Sequence, residues 1–144
     1  MEIQHMDVLI VDDQAGVRYL LDIIVREEGH RPFLAVNGQD AVKQAAKINP
    51  HLVFMDIRMP VMDGTKALKK MKEMGCRGQV VIMTAFTETD VIDKAHANGV
   101  LRCIIKPFDV AEIRQIINEV FQERFRISKT GKCVNCIDNQ GIFI

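Results

Sequence analysis

Asp12 and Asp13, Asp56, Thr84 and Lys106 are the residues of this chain whose types and placement suit chemistry. The acidic pair and the other three each come directly after a short, mostly apolar run: Val8-Leu9-Ile10-Val11, Leu52-Val53-Phe54-Met55, Val80-Val81-Ile82-Met83 and Leu101 to Ile105. Three carboxylates in one cleft repel each other unless a cation or shifted pKa values relieve them. An all-oxygen ligand set favours a hard cation, and with phosphate present Mg²⁺ is the usual choice. Lys106 adds a point charge and Thr84 a hydroxyl donor. A metal, a cation and a donor around a carboxylate suit in-line phosphoryl transfer, where catalysis is mostly positioning and neutralisation of oxygens. Asp56 stands alone after its run and is the best nucleophile, its attack on phosphorus giving an acyl phosphate. The Asp12–Asp13 pair is left to hold the metal. A single Asp after a strand is usually a turn former or helix cap, but five groups in register are poorly explained as caps.

The runs explain how such groups would meet. With Phe33-Leu34-Ala35-Val36 they number five, each strand-sized, and three are apolar on both faces, as a sheet covered on both sides requires. Helical patterns lie between and after them: Val17, Leu20, Leu21, Ile24; Ala41, Ala45, Ile48; Ala67, Leu68, Met71; Ile92, Ala95; and Ile113, Ile116, Ile117, Val120, Phe121. Gly29, Asn49-Pro50, Gly75 and Asn98-Gly99 are stop signals, while Thr87 with Asp90 and Asp109 with Glu112 read as capping boxes. Five βα units with short connections predict an α/β fold with a doubly wound, five-stranded parallel sheet and helices on both faces. Pro32 and Arg102 mark the second and fifth strands as edges, which gives the flavodoxin-like order 2-1-3-4-5. Ligands of such sheets bind beyond the carboxyl ends of the strands, where all five groups converge.

At 144 residues, the length suits one domain, and 48% apolar with 26% charged residues is ordinary globular composition. Residues 1–126 are expected to form that domain and 127–144 a tail or linker. Nineteen basic and nineteen acidic residues cancel, which argues against direct nucleic-acid binding. No apolar run approaches a membrane span and the start resembles no signal peptide, so a cytoplasmic protein with reduced cysteines is expected.

The same residues resemble the receiver domains of two-component response regulators over about Val8 to Arg124. The likeness lies in the acidic pair, Met55-Asp56 followed by Pro60 and Asp63-Gly64, Thr84-Ala85, and Lys106-Pro107-Phe108. The resemblance implies that Asp56 takes a phosphoryl group from phosphohistidine. It implies that Asp13, Asp56 and the Arg58 carbonyl bind Mg²⁺, with Asp12 acting through water. Thr84 and Lys106 would hold phosphoryl oxygens, and the Lys106–Pro107 peptide would be cis. Within the family, Asp12-Asp13-Gln14, Gly16, Arg18 and Leu20-Leu21 look like the first helix of the single-domain phosphorelay intermediate of sporulation initiation. By that resemblance the partners are a histidine kinase and a helical-bundle histidine phosphotransferase, docking on Gln14, Gly16, Val17, Leu20, Arg58, Phe86, Glu88, Ile92 and Phe108. Two positions of that docking region depart from the pattern. Thr89 replaces an apolar residue, and Cys103 replaces the aromatic or histidine three before the lysine. The chain is expected to be a monomer or weak dimer with no turnover beyond phosphotransfer to itself.

Four other readings fit parts of the sequence. A receiver of a larger transcriptional regulator differs only in what accompanies this segment. A flavin carrier of the same topology would have Asp12-Asp13 repelling the flavin phosphate. An aspartyl-phosphate hydrolase usually has a second acid where Arg58 stands. Cys133 and Cys136 supply two of the four ligands a structural zinc needs, so the tail reads as a linker or a hairpin turning at Asn139-Gln140-Gly141.

Overall fold

Successive side chains on a strand point to opposite sides, so a strand apolar throughout must be covered on both. In the computed structural model of the protein, which describes residues 4–59, 61–85, 93, 96, 97 and 99–125, this holds for the three central strands. Strands β1 (Asp7–Val11), β2 (Arg31–Ala35), β3 (Leu52–Asp56), β4 (Gln79–Thr84) and β5 (Arg102–Ile105) form one parallel sheet in the order β2-β1-β3-β4-β5. The expected flavodoxin-like order is therefore the observed one. Helices α1 (Ala15–Glu27), α2 (Gly38–Ile48), α3 (Gly64–Glu73) and α4 (Val110–Phe125) complete the described elements.

The two faces of the sheet carry separate cores. Val8, Ile10, Leu52, Phe54, Val81 and Met83 pack with Leu21, Ile24 and Val25 of α1 and Ile113, Ile116 and Ile117 of α4. The alternate residues Leu9, Val11, Val53, Met55, Val80 and Ile82 pack with Ala41 and Ala45 of α2 and Ala67, Leu68 and Met71 of α3. Both edges are as expected, although β2 begins at Arg31 and ends at Ala35. Pairing with β1 starts at Asp7↔Arg31, so backbone register rather than apolarity sets its ends.

Side chains cap three helix starts, although at Asp109 the side chain takes the Ala111 N–H rather than that of Glu112 as the expected capping box would. The Asn37 side chain caps α2 by accepting from Asp40 N–H at 2.8 Å, and Asp63 caps α3 by accepting from Lys66 N–H at 2.9 Å. Asp109 accepts from Ala111 N–H at 2.9 Å at the start of α4. Asn49 ends α2 in the left-handed region at φ 52°. Among the described residues, no helix is long and apolar enough to cross a membrane. Thr87, Asp90, most of the helix read around Ile92 and Ala95, and the tail with Cys133 and Cys136 lie outside the described residues.

Candidate functional site

The carboxyl end of the sheet gathers the five groups. Asp56 is the last residue of β3 and Thr84 the last of β4. Asp12 follows β1 and Lys106 follows β5. One carboxylate oxygen from each of Asp12, Asp13 and Asp56 lies within 4.8 Å of the other two. Asp12 is fully buried. Its Oδ1 accepts from Gln14 N–H at 2.9 Å and its Oδ2 from Lys106 Nζ at 2.7 Å. Lys106 Nζ stands 3.5 Å from Asp56 Oδ2, so one ammonium bridges two of the three acids. Burial, and next the charge of Asp12, holds the Asp56 carboxyl above the ordinary carboxylate range. Lys106 opposes that rise and Asp13 adds to it. Asp13 is exposed.

The buried Thr84 hydroxyl donates to the Ala85 carbonyl at 3.3 Å. Lys106 is anchored by its N–H to the Thr84 carbonyl at 2.8 Å, and the Lys106–Pro107 peptide is cis. Ile57 N–H bonds Met83 O at 3.1 Å, which ties the segment after Asp56 to β4. Arg58 follows, exposed to solvent.

Two contacts escape a reading by motif. Gly64 N–H donates to Ile57 O at 2.7 Å, and a Cβ there would lie 2.6 Å from Asp56 O. Arg18 Nη1 donates to the main-chain carbonyl of Asp12 at 2.7 Å. Its sequence signal is its place in the first-helix resemblance, one turn into the helix that follows the acidic pair, which does not reveal this bond.

The expected docking residues divide. Gln14, Gly16 and Leu20 are exposed, and Val17 and Phe108 are partly buried against the α1–α4 core. Cys103 packs instead against the core of the other face, and burial pushes its thiol pKa up. Phe86, Glu88, Thr89 and Ile92 lie outside the described residues, as does Pro60.

Comparison with known proteins decides which family this geometry represents. Residues 8–118 match the family model of the response regulator receiver domain. The chain belongs to that family. This receiver is 42% identical over 112 residues to sporulation initiation phosphotransferase F of Bacillus subtilis, covering 78% of this chain and 90% of that protein. It is 41% identical over 115 residues to regulatory protein AtoC of Escherichia coli, where the match covers 80% of this chain but 25% of that protein. Among solved structures, it superposes with a TM-score of 0.72 on the receiver domain of a sensor histidine kinase from Pseudomonas aeruginosa, which has a magnesium ion coordinated in its active-site cleft. The two are 26% identical, with 81% of this chain and 98% of that one covered. The receiver is thus a response-regulator module of two-component and phosphorelay systems, which displaces the flavin-carrier and hydrolase readings.

Proposed function

We propose that this receiver accepts a phosphoryl group from phosphohistidine onto Asp56, with Mg²⁺, and passes it on in a phosphorelay. The observation that carries the reading is the meeting of Asp12, Asp13 and Asp56 within 4.8 Å, with Lys106 bridging Asp12 and Asp56. An Asp56 oxygen bonds phosphorus as the phosphorus–nitrogen bond to the donor histidine breaks and its electron pair returns to the imidazole. The reverse exchange loads the next histidine.

The donor set is all oxygen and anionic, which fits Mg²⁺. Asp13, Asp56 and the Arg58 carbonyl would hold the ion, and Asp12 would reach it through water. When bound, it neutralises phosphoryl oxygens. Lys106 Nζ stands 3.5 Å from Asp56 Oδ2, within reach of a phosphoryl oxygen there. Thr84 can exchange its long bond to Ala85 O for a phosphoryl oxygen. Gln14, Gly16, Val17, Leu20, Arg58, Phe86, Glu88, Ile92, Cys103 and Phe108 are the proposed surface for a histidine kinase and a helical-bundle histidine phosphotransferase.

The match to sporulation initiation phosphotransferase F supports the relay role. The match to a quarter of AtoC favours a second reading, a receiver within a larger transcriptional regulator. The test follows labelled phosphate from acetyl phosphate onto the receiver and then onto histidine-bundle proteins. Wild type takes label and returns it to histidine, whereas Asp56→Asn takes none. Label on the variant at wild-type level overturns the Asp56 assignment, and label that never reaches histidine favours the second reading.

A further inference from the structure

Asp13 is the weakest-held member of the acid cluster. It is exposed, and among the described residues its carboxylate has no hydrogen-bond partner. Its place is set by the main chain between the end of β1 at Val11 and the start of α1 at Ala15. Besides the bond from Lys106 Nζ to Asp12 Oδ2, that span is tethered through its main chain. Asp12 N–H bonds Ala35 O at 3.2 Å, Gln14 N–H bonds Asp12 Oδ1 at 2.9 Å, and Arg18 Nη1 bonds Asp12 O at 2.7 Å. The carbonyl that Arg18 grips belongs to the peptide joining Asp12 to Asp13, so gripping it sets the plane from which Asp13 departs. The start of α1 has no side-chain cap of its own, and Arg18 N–H bonds Gln14 O at 3.1 Å. The Arg18 side chain therefore ties the first turn of α1 back to the end of β1.

Among the described residues, Arg18 makes no ion pair, although it bonds the main chain of one of the three clustered acids. A guanidinium placed only to offset charge would point its fork at a carboxylate. This one spends its short bond on a neutral carbonyl. We propose that Arg18 is a positioning residue for the metal site, holding the Asp12–Asp13 peptide so that Asp13 stays aimed into the cleft against the repulsion of Asp12 and Asp56.

The consequence for Mg²⁺ rests on the reading above, and its sign is diagnostic. A positive charge near the site repels a cation, so deleting a bystander Arg18 would tighten Mg²⁺. Deleting a positioning Arg18 loosens it, by about tenfold if it behaves like other outer-sphere supports of metal ligands.

The experiment compares wild type, Arg18→Met, which keeps an unbranched stem, and Arg18→Lys, which keeps the charge without the fork. Mg²⁺ affinity is measured by calorimetric titration, and Gln14 amide exchange is followed in metal-free protein, with thermal midpoints recorded alongside. Arg18→Met is expected to bind Mg²⁺ about tenfold more weakly, to exchange the Gln14 amide faster, and to melt within a few degrees of wild type. Arg18→Lys is expected to recover part of the affinity. Affinity in Arg18→Met equal to or tighter than wild type overturns the proposal. A wild type that binds no Mg²⁺ overturns the metal reading instead, and the exchange rate, measured without metal, then judges Arg18 alone: an unchanged rate rejects it.

Discussion

Asp56 is folded into a place that disfavours its charge. Burial and Asp12 raise its carboxyl pKa while Lys106 offsets only part of the rise. A carboxyl harder to ionise folded than unfolded lets the unfolded chain release its proton first. Stability therefore falls as pH climbs from the unfolded value through the raised folded one. Asp56→Asn removes that loss. In chelator at neutral pH the variant is expected to be more stable by about 1 kcal/mol, or a few degrees of midpoint. The advantage shrinks at pH acidic enough to protonate Asp56, and it shrinks again when Mg²⁺ is restored to wild type. Thermal melts under the three conditions check this, and a variant less stable than wild type in neutral chelator refutes it.

At the scale of elements, the start of α3 is pressed against the strand that ends in Asp56. A Cβ on Gly64 would stand 2.6 Å from Asp56 O and 2.9 Å from Ile57 Cα, and neither backbone atom can swing aside as a side-chain tip can. Gly64→Ala is expected to cost about 1–3 kcal/mol, the usual range for overpacking. It should also slow phosphorylation by acetyl phosphate, because the shift falls on Asp56 itself. Gly16, in the first turn of α1, is the contrast. Nothing lies within 4 Å of its would-be Cβ, so Gly16→Ala is expected to gain up to about 0.5–1 kcal/mol from helix propensity. Urea unfolding of both variants tests the pair, and equal stabilities would show that the Gly64 contact is soft.

The whole molecule is held at the other end of the sheet by two histidines. His30 Nδ1 accepts from Met6 N–H and His51 Nδ1 from Asp7 N–H, each at 3.0 Å, where the chain enters β1. Acceptance requires the unprotonated nitrogen. Burial is the largest cause lowering both pKa values. Glu28 pulls back on His30, Arg124 lowers His51 further, Asp7 raises His51, and His5 lowers both. A depressed folded pKa means the unfolded chain takes up protons first as pH falls. The stability these residues contribute is therefore complete above the ordinary histidine value near ~6.5 and drains as pH drops below it. Metal-free urea midpoints are expected to decline from pH 8 to pH 5. The decline should flatten in the His30→Asn, His51→Asn double variant, where an amide oxygen accepts without titrating. An equally steep decline in that variant assigns the effect to other groups.

Strand content, sheet order and the five polar groups at the strand ends were legible in the sequence because each rests on a local rule. Side-chain alternation has period two, edges tolerate Pro32 and Arg102, and a parallel sheet brings the residues after its strands to one end. Composition and spacing could not show the bond from Arg18 to the Asp12 carbonyl, the contact of Gly64 with Asp56, or the histidine bonds to Met6 and Asp7. Nor could they show that Cys103 packs against the opposite core from Val17 and Phe108. The first two depend on how a helix folds back on the strand just before it, and the others on how segments distant in sequence meet once the helices have settled on the sheet. Residue types determined that a phosphoryl-transfer site could exist here, and tertiary packing decided how its acids are held, because only close contact between separate elements fixes a peptide plane.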